Sequence, residues 1–421
     1  MRKVRLGDIA NINISGIDKK TKDGEQAVRL CNFTDVYYNW AITKNMYDGL
    51  MQASASESDI ETFSLCKGQV AITKDSETRD DIGVATYIAD DFEDVVLGYH
   101  CALIAPKDDI PEDERIYGKY LNALLHTKYA QKYFSNNATG SGQRYTLSKE
   151  TVEDMPVYLP SYKEQVRIGD YLSDIDKKIE INHLINSELE VMAKQIYDYW
   201  FVQYDFPDED GKPYKSSGGK MIWNETMKRE IPEGWEVLNI FDVANVLYGF
   251  PFATDCFVEE PTNKPVVRIR DILENTSSAY TTENVDEIYR LQEGDLIIGM
   301  DGNFHMNYWC DNNSYLNQRC VRLKDIPEIP LSTIQLYFNI KPILDHKQGL
   351  IQGSTVGHLL DSDIKEFWII CPQQDMRRHI KKQFDDILKS ITSNRQEIMM
   401  LNNLRNYLLP LLMNRQVTIK D

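Results

Sequence analysis

Pro160-Ser161-Tyr162-Lys163-Glu164-Gln165 opens the stretch that decides the fold, residues 160–202. From Ile168 the seam positions recur at alternating spacings of four and three: Ile168, Leu172, Ile175, Ile179, then Asn182 and Asn186, then Leu189, Ala193, Ile196 and Trp200. A helix lying on a globular body shows a wider apolar stripe, whereas this narrow one is the seam of a coiled coil. The chain then repeats it. A shift of 212 places carries the seam onto Ile380, Phe384, Ile387, Ile391, Asn394, Ile398, Leu401, Arg405, Leu408 and Leu412, and carries Pro160 onto Pro372. Ten positions in one register predict two halves, each closing on a long helix.

The two helices carry complementary charge. Residues 163–200 hold five basic and eight acidic side chains, while residues 374–409 hold seven basic and four acidic ones. Matched seams of opposite charge are expected to pair with each other, and the body of mixed structure between them favours an antiparallel pairing. Asparagine at a seam position costs stability but fixes register. An antiparallel pair puts Asn182 nearer Ile398 than Asn394.

The bodies also repeat, with drifted sequence. In the first, Val4-Arg5-Leu6-Gly7-Asp8-Ile9-Ala10 is a short strand or helix, and Ala27-Val28-Arg29-Leu30 a strand. Residues 65–73 read as a turn feeding a buried strand, 83–89 and 101–105 as further strands, and 116–134 as one amphipathic helix. A small-residue loop, Ala138-Thr139-Gly140-Ser141-Gly142-Gln143-Arg144-Tyr145, precedes the long helix. In the second body, residues 235–244, 266–269, 291–298 and 352–359 echo these in the same order. Residues 205–219, rich in Asp, Pro, Gly and Ser, read as a linker loop. The fold class is therefore α+β: two globular bodies joined by two long antiparallel helices, with an internal pseudo-two-fold repeat.

At 421 residues, 42% hydrophobic and 27% charged, the chain has ample core for such a plan. No apolar run is long enough to span a bilayer, and Met1-Arg2-Lys3-Val4-Arg5 lacks the apolar core of a signal peptide, so a cytoplasmic location is expected. The seven cysteines are scattered without a Cys-x-x-Cys pair, which fits isolated thiols and neither a disulfide framework nor a zinc site. A net charge of -18 disfavours phosphate contact when taken as a total. Its distribution matters more: between Arg115 and Lys149 there is no Asp or Glu, while Lys119, Lys128, Lys132 and Arg144 lie inside that span.

Motifs for chemistry are missing. There is no Walker or Rossmann glycine loop, no His-Glu-x-x-His, no Gly-x-Ser-x-Gly, and no Asn-Pro-Pro-Tyr-like motif for adenine methylation. His100-Cys101 is an isolated pair. No catalytic residue and no metal ligand is assigned, and the expectation shifts from catalysis to binding. The loops carry the binding signal. Gly140, Ser141, Gln143, Arg144 and Tyr145 combine backbone amides with groups suited to phosphate contact and base-edge readout. In the second half Asn303, His305, Asn307 and Tyr308, then Asn317, Gln318 and Arg319, are dense in side chains that can hydrogen-bond bases.

With these residues in hand the chain resembles the specificity subunit of type I restriction–modification systems. The resemblance rests on Leu159-Pro160 with Glu164-Gln165 leading into the long helix and on Tyr199-Trp200-Phe201-Val202 at its end. Glu230-Ile231-Pro232-Glu233-Gly234-Trp235 at the re-entry and Gly353-Ser354-Thr355 before the second helix complete it. It covers essentially the whole chain. It implies target recognition domains at 1–159 and 235–371, conserved spacer helices at 160–203 and 372–413, a linker at 204–234 and a tail at 414–421. It further implies double-stranded DNA as partner, read as a bipartite asymmetric site. Lys74, Arg79, Arg268, Arg270, Ser354, Thr355 and His358 join the loop residues as DNA contacts on this reading. Two methyltransferase subunits carrying S-adenosylmethionine are implied, with up to two motor–nuclease subunits using ATP and Mg, while this chain itself is non-catalytic and binds no cofactor. Two other readings stay open: a self-contained nucleic-acid-modifying enzyme, and a coiled-coil protein scaffold.

Overall fold

The computed structural model describes residues 2–140, 142, 144–261, 263–351 and 357–419. The chain divides into two compact units, Met1–Glu180 with Met400–Asp421, and Ile181–Met399. Each long helix thus contributes one part to each unit: the first is Tyr162–Tyr197, the second Gln374–Met413. Among the described residues no helix is long and apolar enough to cross a membrane.

In the first unit, the strand Arg2–Arg5 pairs antiparallel with Pro156–Leu159, joining the start of the body to its end. A five-stranded sheet runs in the order Ala10–Ile14, Cys101–Pro106, Val70–Thr73, Ala85–Ile88, Ala41–Ile42. Side chains alternate across a strand, and here the alternation sorts residues into two cores. Val70, Ile72, Ala102 and Ile104 join Leu121, Phe134, Leu172 and Leu409 on one face. Ala71, Cys101 and Leu103 join Leu30, Val96 and Leu97 on the other. With both faces covered, Val70–Thr73 and Cys101–Pro106 are nearly all apolar, as strands buried on two sides must be.

Residues 116–134 do not form one helix. Helices Gly118–Leu125 and Lys128–Asn137 are separated at His126-Thr127, because Thr127 is extended and its hydroxyl accepts from the Ala130 N–H, starting a new helix. The apolar spacing runs on through the break and hides it from the periodicity.

Gln165 ties the long helix to this body. Its side chain is fully buried, accepts from the Tyr117 N–H at 2.9 Å and donates to the Arg115 and Pro160 carbonyls at 3.1 and 3.3 Å. The neighbouring Glu164 accepts from Arg415 at 2.7 Å. One turn on, a Cβ at Gly169 would sit 2.8 Å from the Tyr120 nitrogen, so glycine permits the close helix–helix approach.

The second unit repeats the scheme. Glu236–Asn239 pairs antiparallel with Trp368–Cys371, and a four-stranded sheet runs Ala244–Tyr248, Cys320–Asp325, Leu296–Gly299, Met306–Tyr308. Leu296, Ile298, Val321 and Leu323 face the large core with Phe384 and Ile387, while Ile297 and Cys320 face a smaller one with Trp309. The linker is part of this unit. Phe206 stacks on Trp235 at 5.0 Å and on Tyr214 at 4.7 Å, and Met221–Asn224 pairs with Arg229–Pro232. Tyr197 and Phe201 at the end of the first long helix stack at 5.0 Å, Phe201 fully buried.

Within each unit the helices run antiparallel. In the first, Asp176 pairs with Arg405 at 2.9 Å and Glu164 with Arg415 at 2.7 Å. In the second, Asn182 donates to Glu397 at 2.7 Å, Asn394 donates to the Asn186 side chain at 2.9 Å, and Arg395 pairs with Glu190 at 3.0 Å. From Glu164 with Arg415 through Asp176 with Arg405 and Asn182 with Glu397 to Asn186 with Asn394, numbers rise on one helix as they fall on the other. Ile168, Leu172, Ile175, Ile179, Ile380, Phe384, Ile387, Ile391 and Ile398 are buried, whereas Leu189, Ile196, Leu401 and Leu408 are half-buried. The asparagines follow the antiparallel pairing: Asn182 bonds Glu397, the chain neighbour of Ile398, while Asn394 bonds Asn186.

Candidate nucleic-acid interface

In the first unit the small-residue loop closes as a strand pair. Thr139–Gly140 lies against Tyr145–Thr146, which in turn pairs with Asp75–Ser76. Gly140 has φ of +134°, and a Cβ there would lie 2.1 Å from the Arg144 carbonyl oxygen, so only glycine closes this turn. The pairing brings four sequence-predicted residues, Lys74, Arg79, Arg144 and Tyr145, to one place. Lys74 Nζ donates to Asp75 Oδ2 at 2.8 Å, Arg144 Nη2 donates to the same oxygen at 3.2 Å, and the Arg79 guanidinium lies 5.2 Å over the Tyr145 ring.

Asp75 is the centre of this cluster, and His100 is its third partner, with Nδ1 2.8 Å from Asp75 Oδ2 and 2.8 Å from Arg144 Nη2. That nitrogen cannot donate to the carboxylate and accept from the guanidinium at once, so the position of one proton decides which bond forms. Burial pushes the Asp75 carboxyl up, but hydrogen bonds from Lys74, His100 and Thr146 outweigh it and hold the group at about 2. The stability it contributes is present above the ordinary carboxylate range and is lost only as pH falls toward 2.

The second unit builds a counterpart on Asp301. Arg319 Nε lies 3.2 Å from Asp301 Oδ2, and His358 Nδ1 lies 2.7 Å from Oδ1. The placement is equivalent. Asp75 follows the strand Val70–Thr73 by two residues and Asp301 follows Leu296–Gly299 by two. His100 directly precedes the neighbouring strand Cys101–Pro106, and Arg319 directly precedes Cys320–Asp325. Thr146 is bridged to Asp75 as His358 is to Asp301. The carboxylate is kept, while arginine and histidine exchange elements: the loop supplies Arg144 in one unit, the strand supplies Arg319 in the other.

The remaining predicted residues divide. Asn303, Gln318 and Arg270 are exposed, and His305 and Asn317 are half-buried. Arg268 donates to Ser278 Oγ at 2.7 Å. Asn307 and Tyr308 are corrected to structural positions. The Asn307 amide donates to the Ile272 and Leu273 carbonyls at 3.2 and 3.1 Å and its oxygen accepts from Arg395 at 2.9 Å, while Tyr308 is buried in the core. An Asn-rich run does not distinguish a side chain that faces solvent from one that ties down a neighbouring loop. Ser141, Gln143, Ser354 and Thr355 lie outside the described residues. The basic stretch also thins out: Lys119 pairs with Asp170 at 2.8 Å and Lys149 with Glu153 at 3.7 Å, leaving Lys128 and Lys132 exposed on one short helix. Asp75, Asp301 and the role of His100 escaped the sequence reading. Their signal was available, since the shift that aligns residues 65–72 with 291–298 also aligns the two aspartates.

The family model of the type I restriction modification DNA specificity domain matches twice, at residues 1–191 and 232–403. The chain belongs to this family: it is a specificity subunit of a type I restriction–modification system, with a role in DNA recognition. Among its relatives is the type I restriction enzyme MjaIX specificity subunit of Methanocaldococcus jannaschii, 24% identical over 320 residues that span 74% of this chain and 72% of the relative. The HindI specificity subunit of Haemophilus influenzae is 21% identical over 399 residues, spanning 81% of this chain and 85% of that one. The crystal structure of the S subunit from M. genitalium shares the fold over 98% of this chain and 95% of its own, with a TM-score of 0.58 at 13% identity.

Proposed function

We propose that each unit reads one half of a bipartite, asymmetric DNA site, and that the long helices dock two methyltransferase subunits. The observation that carries the reading is the pair of Asp-centred clusters: the same strand ends in the two units present different cations, so equivalent surfaces address different bases. Arg144 and Arg319 are largely exposed beyond their carboxylate contacts, and arginine reads guanine bidentately in the major groove. Met400, Leu404 and Tyr407 recur at helical spacing and are 64, 40 and 67% exposed on the second long helix, an apolar stripe suited to a partner subunit. The partners hold S-adenosylmethionine and transfer its methyl group to adenine; motor–nuclease subunits, up to two, bring ATP and Mg to the cutting of unmodified DNA. This chain supplies the address.

Arg144→Ala and Arg319→Ala should each weaken cognate binding by the assembled complex by about 1–3 kcal/mol, roughly 5- to 150-fold. Subunit assembly, followed by size-exclusion chromatography, stays as in the unaltered complex. Mapping methylated adenines across a sequence library tests the whole reading. Methylation by the purified chain alone, or a single contiguous recognition site, would overturn it.

A further inference from the structure

We infer that Asp75 and Asp301 are positioning residues that hold Arg144 and Arg319 ready for their half-sites, and so set discrimination without touching DNA. The inference rests on the DNA-reading function proposed above.

Three features support it. The Asp75 side chain is 8% exposed while Arg144 is 59% exposed, and the corresponding figures for Asp301 and Arg319 are 23 and 63%. In each unit, then, the carboxylate lies inward and the guanidinium outward. Each carboxylate holds other groups besides the arginine, Lys74 and His100 in one unit and His358 in the other, so its orientation does not depend on the arginine it steers. The aspartate is kept at the same strand end in two bodies whose sequences have drifted and whose cations have changed places. Arginine is rich in rotamers, and holding it in place before DNA arrives removes an ordering cost otherwise met on binding. A weak, partly solvated ion pair suits this task, because it orients the side chain without competing strongly with a base or phosphate.

Two effects oppose each other when the carboxylate is neutralised. Asp75→Asn frees Arg144 to sample other rotamers, which lowers cognate discrimination by roughly 2- to 10-fold at that half-site. It also removes one negative charge beside the DNA, which favours non-specific binding and steepens the salt dependence by about one phosphate equivalent. The predicted signature is a fall in the ratio of specific to non-specific affinity with non-specific affinity held or raised. A merely structural lesion would lower both.

The test uses the assembled methyltransferase complex carrying full-length chain, unaltered or with Asp75→Asn, Arg144→Ala or both. Asp301→Asn and Arg319→Ala form an independent arm. Affinity for cognate, half-mutated and unrelated duplexes is measured over a salt series. We expect Asp75→Asn to relax one half of the site only, Asp301→Asn the other half only, and each double variant to match its arginine single variant in half-site discrimination, since that effect of the aspartate acts through the arginine. Unchanged discrimination, equal losses on all duplexes, or full additivity with the arginine change would overturn the inference while leaving the proposed function standing. An unaltered complex without half-site discrimination would instead overturn the proposed function, and the inference with it.

Discussion

Asp176→Leu is expected to destabilise the first unit by about 3–5 kcal/mol, although it replaces a charged group with an apolar one. Asp176 and Arg405 meet at 2.9 Å with side chains only 18 and 16% exposed. Burial pushes the Asp176 carboxyl up to about 6, against the opposing charge of Arg405, and Glu180 adds to the rise. Burial lowers Arg405, against the pull of Asp176. Both partners move toward their neutral forms, so desolvation outweighs pairing on both sides. The pair is thus a poor source of stability but an expensive one to break, because the leucine leaves Arg405 buried without its carboxylate. Replacing both, as Asp176→Leu with Arg405→Met, should recover most of the loss. It also forfeits the contact of Arg405 with the Trp40 ring at 4.6 Å, worth about 0.5–2 kcal/mol. Urea unfolding resolved by amide exchange over 1–180 and 400–419 measures each step; a single-variant cost below about 1 kcal/mol would sink the argument.

The same carboxyl gives a pH dependence of definite sign. Its folded value of about 6 lies above the ordinary range for aspartate, so the folded state binds the proton more tightly. Its contribution is fully present below about pH 4 and is lost as pH rises through about 6, by on the order of 2–3 kcal/mol. Asp176→Asn should flatten that slope. A slope that survives the substitution would assign it to another group.

The second large effect is expected at the seam of the second unit. Phe384 is fully buried and Ile387 nearly so, within the core that holds Tyr197, Phe201, Trp235 and Ile391. Phe384→Ala should cost about 3–5 kcal/mol from lost transfer energy and the cavity left behind. Ile387→Asp is more severe, since it places a carboxylate within an apolar core, where burying a charge is far costlier than losing apolar contact. Amide protection over 181–399 should collapse in that variant. Retained protection there would show that Ile387 does not face the core, contrary to the seam.

The seam itself was legible because helical periodicity is a local property. Ile168, Leu172, Phe384 and Ile391 announce a buried stripe whatever they pack on, and the 212-place repeat announces that there are two. Strand positions followed for the same reason: Val70–Thr73 and Leu296–Gly299 are apolar runs beside turn residues. The break at Thr127 was not legible, because a cap acts through one hydroxyl while apolar spacing continues across it. Asn307 and Tyr308 failed as candidates for a related reason. Their residue types suit base contact, but only three-dimensional packing reveals that Arg395 and the Ile272 carbonyl already occupy the Asn307 amide.

From the sequence alone came two halves, two long helices of matched seam and opposite charge, and a resemblance that named the family. These are properties of neighbours along the chain, where spacing and composition act directly. The tertiary structure decided which charges meet. Asp75 lies 25 places from His100 and 69 from Arg144, and Asp301 lies 57 from His358. No local rule connects such positions. They meet because strand pairing brings distant strand ends to one edge, and a carboxylate there gathers whatever cations the sheet delivers.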